Sequence, residues 1–315
     1  MKKFIGSVLA TTLILGGCST MENESSKDTN TETKSVPEEM EASKYVGQGF
    51  QPPAEKDAIE FAKKHKDKIA KRGEQFFMDN FGLKVKATNV VGSGDGVEVF
   101  VHCDDHDIVF NASIPFDKSI IDSDSSLRSE DKGDDMSTLV GTVLSGFEYR
   151  AHKEELDNLT EVLKEYKSKY KYTGYTENAI MKTQNSGFRN EYYYLTAIPY
   201  TLDEYKKYFK PLIKENDQSF RDGIKNSKKQ LNDKSRPYVV TTLFSTKDNY
   251  TKDNTIDEMI DFSEVLKKKK NIPHDLNVSL QITDKYINSV RPSYSKKDSI
   301  EVGVFNHEKK LMIEI

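Results

Sequence analysis

The chain has 315 residues, of which 36% are hydrophobic and 31% charged, with a net charge of −4 and a pI near 6.0. This length is sufficient for one large domain or two modest domains. No stretch approaches the ~20 apolar residues of a membrane span, which excludes a multi-pass membrane protein. Nucleic-acid-binding domains normally carry a basic surplus, so the charge balance argues against a nucleic-acid partner.

The N-terminus has the pattern of an export signal. Lys2 and Lys3 precede a twelve-residue apolar run at residues 4–15. That run is too short to span a bilayer and has the length of the hydrophobic region of a secretory signal. The run ends in a sequence that resembles the lipobox of bacterial lipoproteins, Leu15-Gly16-Gly17-Cys18.

The lipobox resemblance implies that residues 1–17 are a lipoprotein signal peptide cleaved before Cys18. It also implies a diacylglycerol joined by a thioether to the Cys18 sulfur and a palmitoyl group on the new amine. A thiolate is the soft nucleophile that such a bond requires. Several acyl chains anchor a protein stably where one binds marginally. We therefore expect a protein held by lipid on the extracytoplasmic side of the cell membrane, with the membrane as its partner.

Residues 18–45 are predicted to be a lipidated, disordered tether. The segment consists mainly of Ser, Thr, Asn, Glu, Asp and Lys. Such a composition cannot bury enough apolar surface to offset the loss of chain entropy on folding.

The remainder is predicted to fold as two α+β halves, 46–172 and 173–315, or as one continuous domain. In the first half, helical spacing runs from residue 54 to Gly82, and alternation then predicts three antiparallel strands. A long amphipathic helix is predicted at 136–170.

The second half is predicted to open with a hairpin of strands 178–184 and 191–200. A capping box, Thr201 to Glu204, then starts a helix. Further strands are predicted at 238–244, 276–283, 299–305 and 311–315. The predicted fold class is α+β, with antiparallel meanders and hairpins interspersed with amphipathic helices, because short turns favour antiparallel pairing.

The whole chain resembles a family of staphylococcal lipoproteins of unknown function. The resemblance rests on the lipobox, the acidic tether, the tyrosine-rich middle and the segment Gly47-Gln48-Gly49-Phe50. It implies a location and brings no catalytic residue with it.

The densest group of possible metal ligands is the segment 102–107, which contains His102, Cys103 and His106. Imidazole and thiolate groups bind transition metals. However, His102 and Cys103 would point to opposite faces of a strand, and aspartate is common in turns. Both a metal site and a polar turn are consistent with this pattern.

Tyrosines are concentrated between Tyr166 and Tyr208. A tyrosine combines an apolar ring with a hydroxyl group, which suits a surface that binds peptide or glycan. Tyr192 and Tyr194 would share one face of a strand and are the predicted interaction residues, with packing in the core as the alternative.

The leading functional prediction is a lipid-anchored cell-surface protein with a non-catalytic binding domain for an envelope or protein ligand. No cofactor and no catalytic residue is predicted. The alternatives are an extracytoplasmic hydrolase with a dispersed active site and the substrate-binding lipoprotein of a transporter. Cys18 and Cys103 are the two cysteines of the chain, so the lipidation of Cys18 leaves Cys103 without a disulfide partner.

Overall fold

The folded part of the chain begins earlier than the sequence predicts. A computed structural model describes residues 36–123, 127, 134–292 and 298–306, and its contacts place Pro37–Ile315 in one unit. Strand β1 (Glu39–Glu41) pairs with β11 (Tyr286–Asn288), and Tyr45 is fully buried with its hydroxyl donating to the Ser289 carbonyl at 2.9 Å. Residues 37–45 are therefore ordered by a distant strand, which their polar composition does not reveal.

Helices and strands are interspersed along the rest of the chain. The helices are α1 (Lys56–Lys64), α2 (Lys66–Phe81), α3 (Asp134–Ala151), α4 (Lys153–Tyr166), α5 (Glu177–Thr183), α6 (Leu202–Glu204), α7 (Asp217–Gln230) and α8 (Ile256–Lys267). A π-helix (Tyr205–Phe209) and a 3-10 helix (Lys210–Lys214) continue α6. The remaining strands are β2 (Val85–Ser93), β3 (Gly96–Asp105), β4 (Ile108–Phe116), β5 (Tyr172–Thr173), β6 (Ser186–Gly187), β7 (Tyr193–Thr196), β8 (Tyr238–Thr241), β9 (Leu243–Ser245), β10 (Asn277–Thr283) and β12 (Ile300–Phe305).

The first sheet is the predicted antiparallel meander, β2-β3-β4, extended by the short strand β6. Alternate residues of β3 point inward and are buried: Val97, Val99, Val101 and Cys103. They belong to one core together with Phe77 of α2, Phe147 of α3 and Phe209 of the π-helix. Residues from both predicted halves of the chain thus share the first core.

The second sheet contains a parallel pairing that the sequence does not predict. Strands β8 and β9 flank Thr242, whose backbone N–H donates to the Tyr192 carbonyl at 2.7 Å. Both strands pair in parallel with β10, while β12 pairs antiparallel with β10. A parallel connection needs a long crossover, and the segment that contains α8 provides it between β9 and β10.

The strand predicted at 178–184 and the helix predicted at 136–170 differ in the structure, and the helix predicted from residue 54 to Gly82 is divided into α1 and α2. Residues 178–184 are predicted as a strand but lie mostly in α5, because the Thr176 side chain caps the helix by accepting from the Ala179 N–H. The long helix at 136–170 is divided at His152, whose φ of −114° and ψ of 22° are not helical. The division falls where the chain passes from the first core, which holds Phe147, to a second core, which holds Leu156.

The mixed α+β class is confirmed. The left-handed C-cap at Gly82, with φ of 71°, and the capping box between Thr201 and Glu204 are also present as predicted. In the part of the chain that the structure describes, no helix is both long enough and apolar enough to cross a membrane. The predicted strand at 311–315 lies outside the described residues.

Candidate functional site: a charged cleft between α3 and α7

The predicted metal ligands do not converge on one point. Cys103 is fully buried in the first core, and this burial raises the pKa of its thiol to about 12, which favours the neutral thiol. His102 lies on the other face of β3, with Nδ1 3.0 Å from Asn111 Oδ1. His106 lies in the β3–β4 turn, at φ of 55°. Among the described residues, no group of three or more His, Cys, Asp or Glu side chains is placed to hold a metal ion.

The two predicted interaction tyrosines do not share an exposed face. Tyr192 is 4% exposed and packs edge-on against Tyr172, with ring centroids 6.3 Å apart. Asn190 Oδ1 accepts from the backbone N–H groups of Tyr192 and Tyr193, so a tight turn precedes β7 and the alternation does not extend back to Tyr192. Tyr194 is partly buried, with the Arg189 guanidinium 4.9 Å from its ring centroid. The prediction is thus corrected for Tyr192, which belongs to the core.

The lipobox residues Leu15, Gly16, Gly17 and Cys18 lie outside the described residues. Their assignment therefore rests on the sequence.

A charged cleft of about 230 Å³, open to solvent, lies where α3, α7 and the segment before α6 meet. We call it the charged cleft. Its lining combines apolar and ionisable side chains: Leu144, Phe147, Glu148, Ala197, Ile198, Tyr200, Phe209, Ile224, Lys228 and Asp233.

A buried ion pair crosses the charged cleft. Glu148 of α3 is 4% exposed, and its Oε1 lies 2.5 Å from Nζ of Lys228 on α7. Its Oε2 lies 3.9 Å from Nε2 of His152, one helical turn further along the chain. A carboxylate removed from water needs such partners, because an unpaired buried charge is strongly destabilising.

A second polar pair closes the other side of the charged cleft. The Tyr200 hydroxyl donates to Asp233 Oδ2 at 2.5 Å, and the Ser235 N–H and hydroxyl donate to Asp233 Oδ1 at 2.8 and 2.6 Å. Partial burial opposes ionisation of Asp233, but the bonds from Ser235 and Tyr200 outweigh it and lower the pKa of this carboxyl. Burial, and then the bond to Asp233, raise the pKa of Tyr200.

The chemistry of the charged cleft is that of internal pairing. The Lys228 ammonium is held by Glu148, and Asp233 already accepts three hydrogen bonds. Among the described residues that line it, none is a serine, cysteine or histidine. The sequence analysis did not identify this cluster. The signal available was Glu148, a charged residue within a mostly apolar stretch of α3.

Comparison with known proteins gives a family and a structure. Residues 32–310 match the model of a family described as "Protein of unknown function (DUF1672)". The chain is similar to a DUF1672 family protein from Staphylococcus aureus subsp. aureus Mu50, whose crystal structure was solved at 1.80 Å resolution. The two are 94% identical with a TM-score of 0.86, over 87% of this chain and 100% of the other. Among curated proteins, none matches the chain.

Proposed function

We propose that this chain, which belongs to the DUF1672 family of proteins of unknown function, is a lipid-anchored extracytoplasmic protein whose folded unit binds an envelope partner without catalysis. The observation that carries the proposal is the N-terminal pattern: two lysines are followed by an apolar run, and this run ends in Leu15-Gly16-Gly17-Cys18. A thioether lipid at Cys18 together with an N-acyl chain would give stable rather than marginal membrane attachment.

The start of the folded unit supports a tethered arrangement. The unit begins at Pro37, so residues 19–36 separate it from the proposed anchor. This segment contains Glu22, Glu24, Asp28 and Glu32, and its sole β-branched aliphatic residue is Val36. A flexible chain of this length has a root-mean-square span of about 21–25 Å. Such a span would hold the unit near the membrane while leaving it free to turn.

The charged cleft supports a binding role over an enzymatic one. Covalent catalysis needs a nucleophile beside a base, whereas the ionisable groups here are paired with one another. These pairs join α3, α7 and the segments around Tyr200 and Asp233, and so hold the framework together. A partner would therefore contact the outer surface of the unit rather than enter a deep pocket.

The anchor is tested by replacing its cysteine. In cells fed an alkyne-labelled fatty acid, Cys18→Ala is expected to abolish labelling of the chain and to move it out of the membrane fraction, because the acceptor thiol is absent. In-gel detection of the alkyne and cell fractionation measure the two effects.

The matched control is Cys103→Ala, which removes the other cysteine and should leave labelling intact because Cys103 is buried in the core. Labelling that persists in Cys18→Ala would contradict the anchor. Reaction of the native chain with a fluorophosphonate, a probe of activated serines, would contradict the non-catalytic part of the proposal.

A further inference from the structure

We propose that the basic surface of residues 205–230, here called the basic hairpin, docks the folded unit onto the anionic headgroups of the membrane that holds the lipid anchor. The proposal deepens the proposed function and rests on it, since the docked membrane is the anchoring one. The juxtaposition that supports it is a pair of antiparallel helical segments with lysines on their solvent side.

Charge is distributed unevenly along this chain. The basic hairpin contains eight basic and three acidic residues, a net charge of +5, whereas the whole chain carries −4. The remainder of the chain therefore carries a net negative charge, as does the proposed tether. Near an anionic surface, such a charge distribution turns the positive segment toward the surface and the acidic parts away from it.

The basic side chains lie on the exposed side of both segments. Arg221, Lys225 and Lys229 recur every four residues along α7 and are exposed. Lys206 and Lys214, on the preceding segment, are exposed as well. Throughout the described ranges, no carboxylate forms an ion pair with Lys206, Lys214, Lys225 or Lys229; the α7 lysine that is paired, Lys228, turns inward to Glu148.

The two segments pack closely enough to form one surface. A Cβ on Gly223 would lie 2.5 Å from Leu212 Cδ2, so the absence of a side chain at Gly223 permits the approach. Ser227 Oγ donates to the Tyr208 carbonyl at 2.9 Å. Leu212 lies against Gly223, and Tyr208 lies against Ser227. The two segments therefore run antiparallel, which places their lysines side by side.

The basic hairpin is also a rigid platform. Its underside buries Phe209, Phe220 and Ile224 in the first core. Arg150 of α3 donates to the carbonyls of Ile213 and Glu215 at 2.9 and 2.6 Å, and its guanidinium lies 4.1 Å from the centre of the Phe220 ring. Docking would therefore orient the entire folded unit rather than a loose loop.

The side-chain chemistry favours a fluid lipid surface over a specific ligand. Seven of the eight basic residues are lysines, which act as hydrated point charges without the fixed bidentate geometry of arginine. Tyr208 is partly exposed, with Lys207 Nζ 4.7 Å from its ring centre. Tyrosine is typical of membrane interfaces, and polybasic segments add to acyl anchors as a second attachment signal.

The test uses the lipidated full chain in vesicles. A dye is attached to the cysteine of Asn226→Cys, an exposed position of α7, and energy transfer from it to dyes on the lipid headgroups is measured. The dye labels this position because Cys18 is blocked by lipid and Cys103 is buried. We expect transfer in vesicles with phosphatidylglycerol, little in pure phosphatidylcholine, and loss at high salt. In the phosphatidylglycerol vesicles, K206E/K225E/K229E is expected to lower the docked fraction about tenfold.

The matched control, K63E/K66E/K71E, makes the same change in net charge at exposed lysines of α1 and α2 and should keep docking. Energy transfer that is the same in anionic and neutral vesicles, measured with the lipidated chain, would contradict the docking inference without contradicting the anchor. A chain without lipid in its intact mass would overturn both. If the chain binds soluble polyphosphate more tightly than it binds vesicles, and its energy transfer does not depend on lipid charge, the ligand is a polyanionic polymer and not the membrane.

Discussion

At the scale of single residues, burial decides what each ionisable or reactive group can do. Cys103 is a buried thiol within the first core, whereas Glu148 is buried beside Lys228, which reaches it from another helix. The two residues are eighty positions apart in the chain. Their interaction is therefore a property of the packed structure, and its stability is measurable.

Lys228→Met retains a stem of similar length but leaves the Glu148 carboxylate without its cation. We expect the free energy of unfolding to fall by about 2–3 kcal/mol. This is below the ~3–5 kcal/mol of fully buried pairs, because the Lys228 side chain is 20% exposed. Urea denaturation at neutral pH measures the change. The double variant Glu148→Gln/Lys228→Met should recover most of the loss; an unchanged single variant would contradict this account.

At the scale of elements, contacts between distant segments select among local conformations. The Gly174 backbone passes so close to Glu191 that a Cβ would lie 1.9 Å from the Glu191 carbonyl oxygen. That oxygen also accepts from the Tyr175 N–H at 2.8 Å. Glycine at this position thus allows the chain leaving β5 to lie against the segment that enters β7.

Gly174→Ala is expected to lower the free energy of unfolding by about 2–3 kcal/mol, because the added methyl group forces the two backbones apart. Thermal or urea unfolding detects the loss. Gly303→Ala in β12 is the matched control, since nothing lies within 4 Å of its added Cβ, and should be neutral or stabilising by about 0.5–1 kcal/mol. Equal stability of the two variants would show that the Gly174 contact is not close.

At the scale of the whole molecule, buried tyrosines occur in each of the apolar cores. Burial raises the pKa of Tyr175 to about 12 and of Tyr192 to about 12. It acts in the same direction on other tyrosines of the structure: Tyr45, Tyr149, Tyr172, Tyr193 and Tyr205. Ionisation of these hydroxyls is therefore coupled to unfolding.

The folded pKa values lie above the ~10 of an unfolded tyrosine, so the stabilising effect is complete below pH ~10 and is lost as pH rises. We expect the urea midpoint to fall steeply above pH 10, and tyrosinate absorbance to rise together with the loss of circular dichroism. Complete tyrosine ionisation below pH 11 in a chain that keeps its native circular dichroism would contradict this prediction.

Local signals in the sequence predicted much of the fold. The β2-β3-β4 meander follows from alternation, and the caps at Gly82 and Thr201 follow from residues that satisfy nearby backbone groups. The strand predicted at 178–184 failed because a short segment fits both periods, and the packing of Ala179 and Ile180 beside Tyr45 accompanies the helix. None of these local patterns indicated the charged cleft.

The sequence by itself determined the α+β class and the helix ends at Gly82 and Thr201, because each depends on neighbouring residues. The export signal that ends at Cys18 stays a prediction from the sequence. Only the tertiary structure decided that Tyr192 is core, that β10 pairs in parallel, and that Glu148 meets Lys228. It also brought the lysines of the π-helix region beside those of α7. These outcomes depend on which surfaces pack together and exclude water. Each such surface is formed by segments that are far apart in the chain.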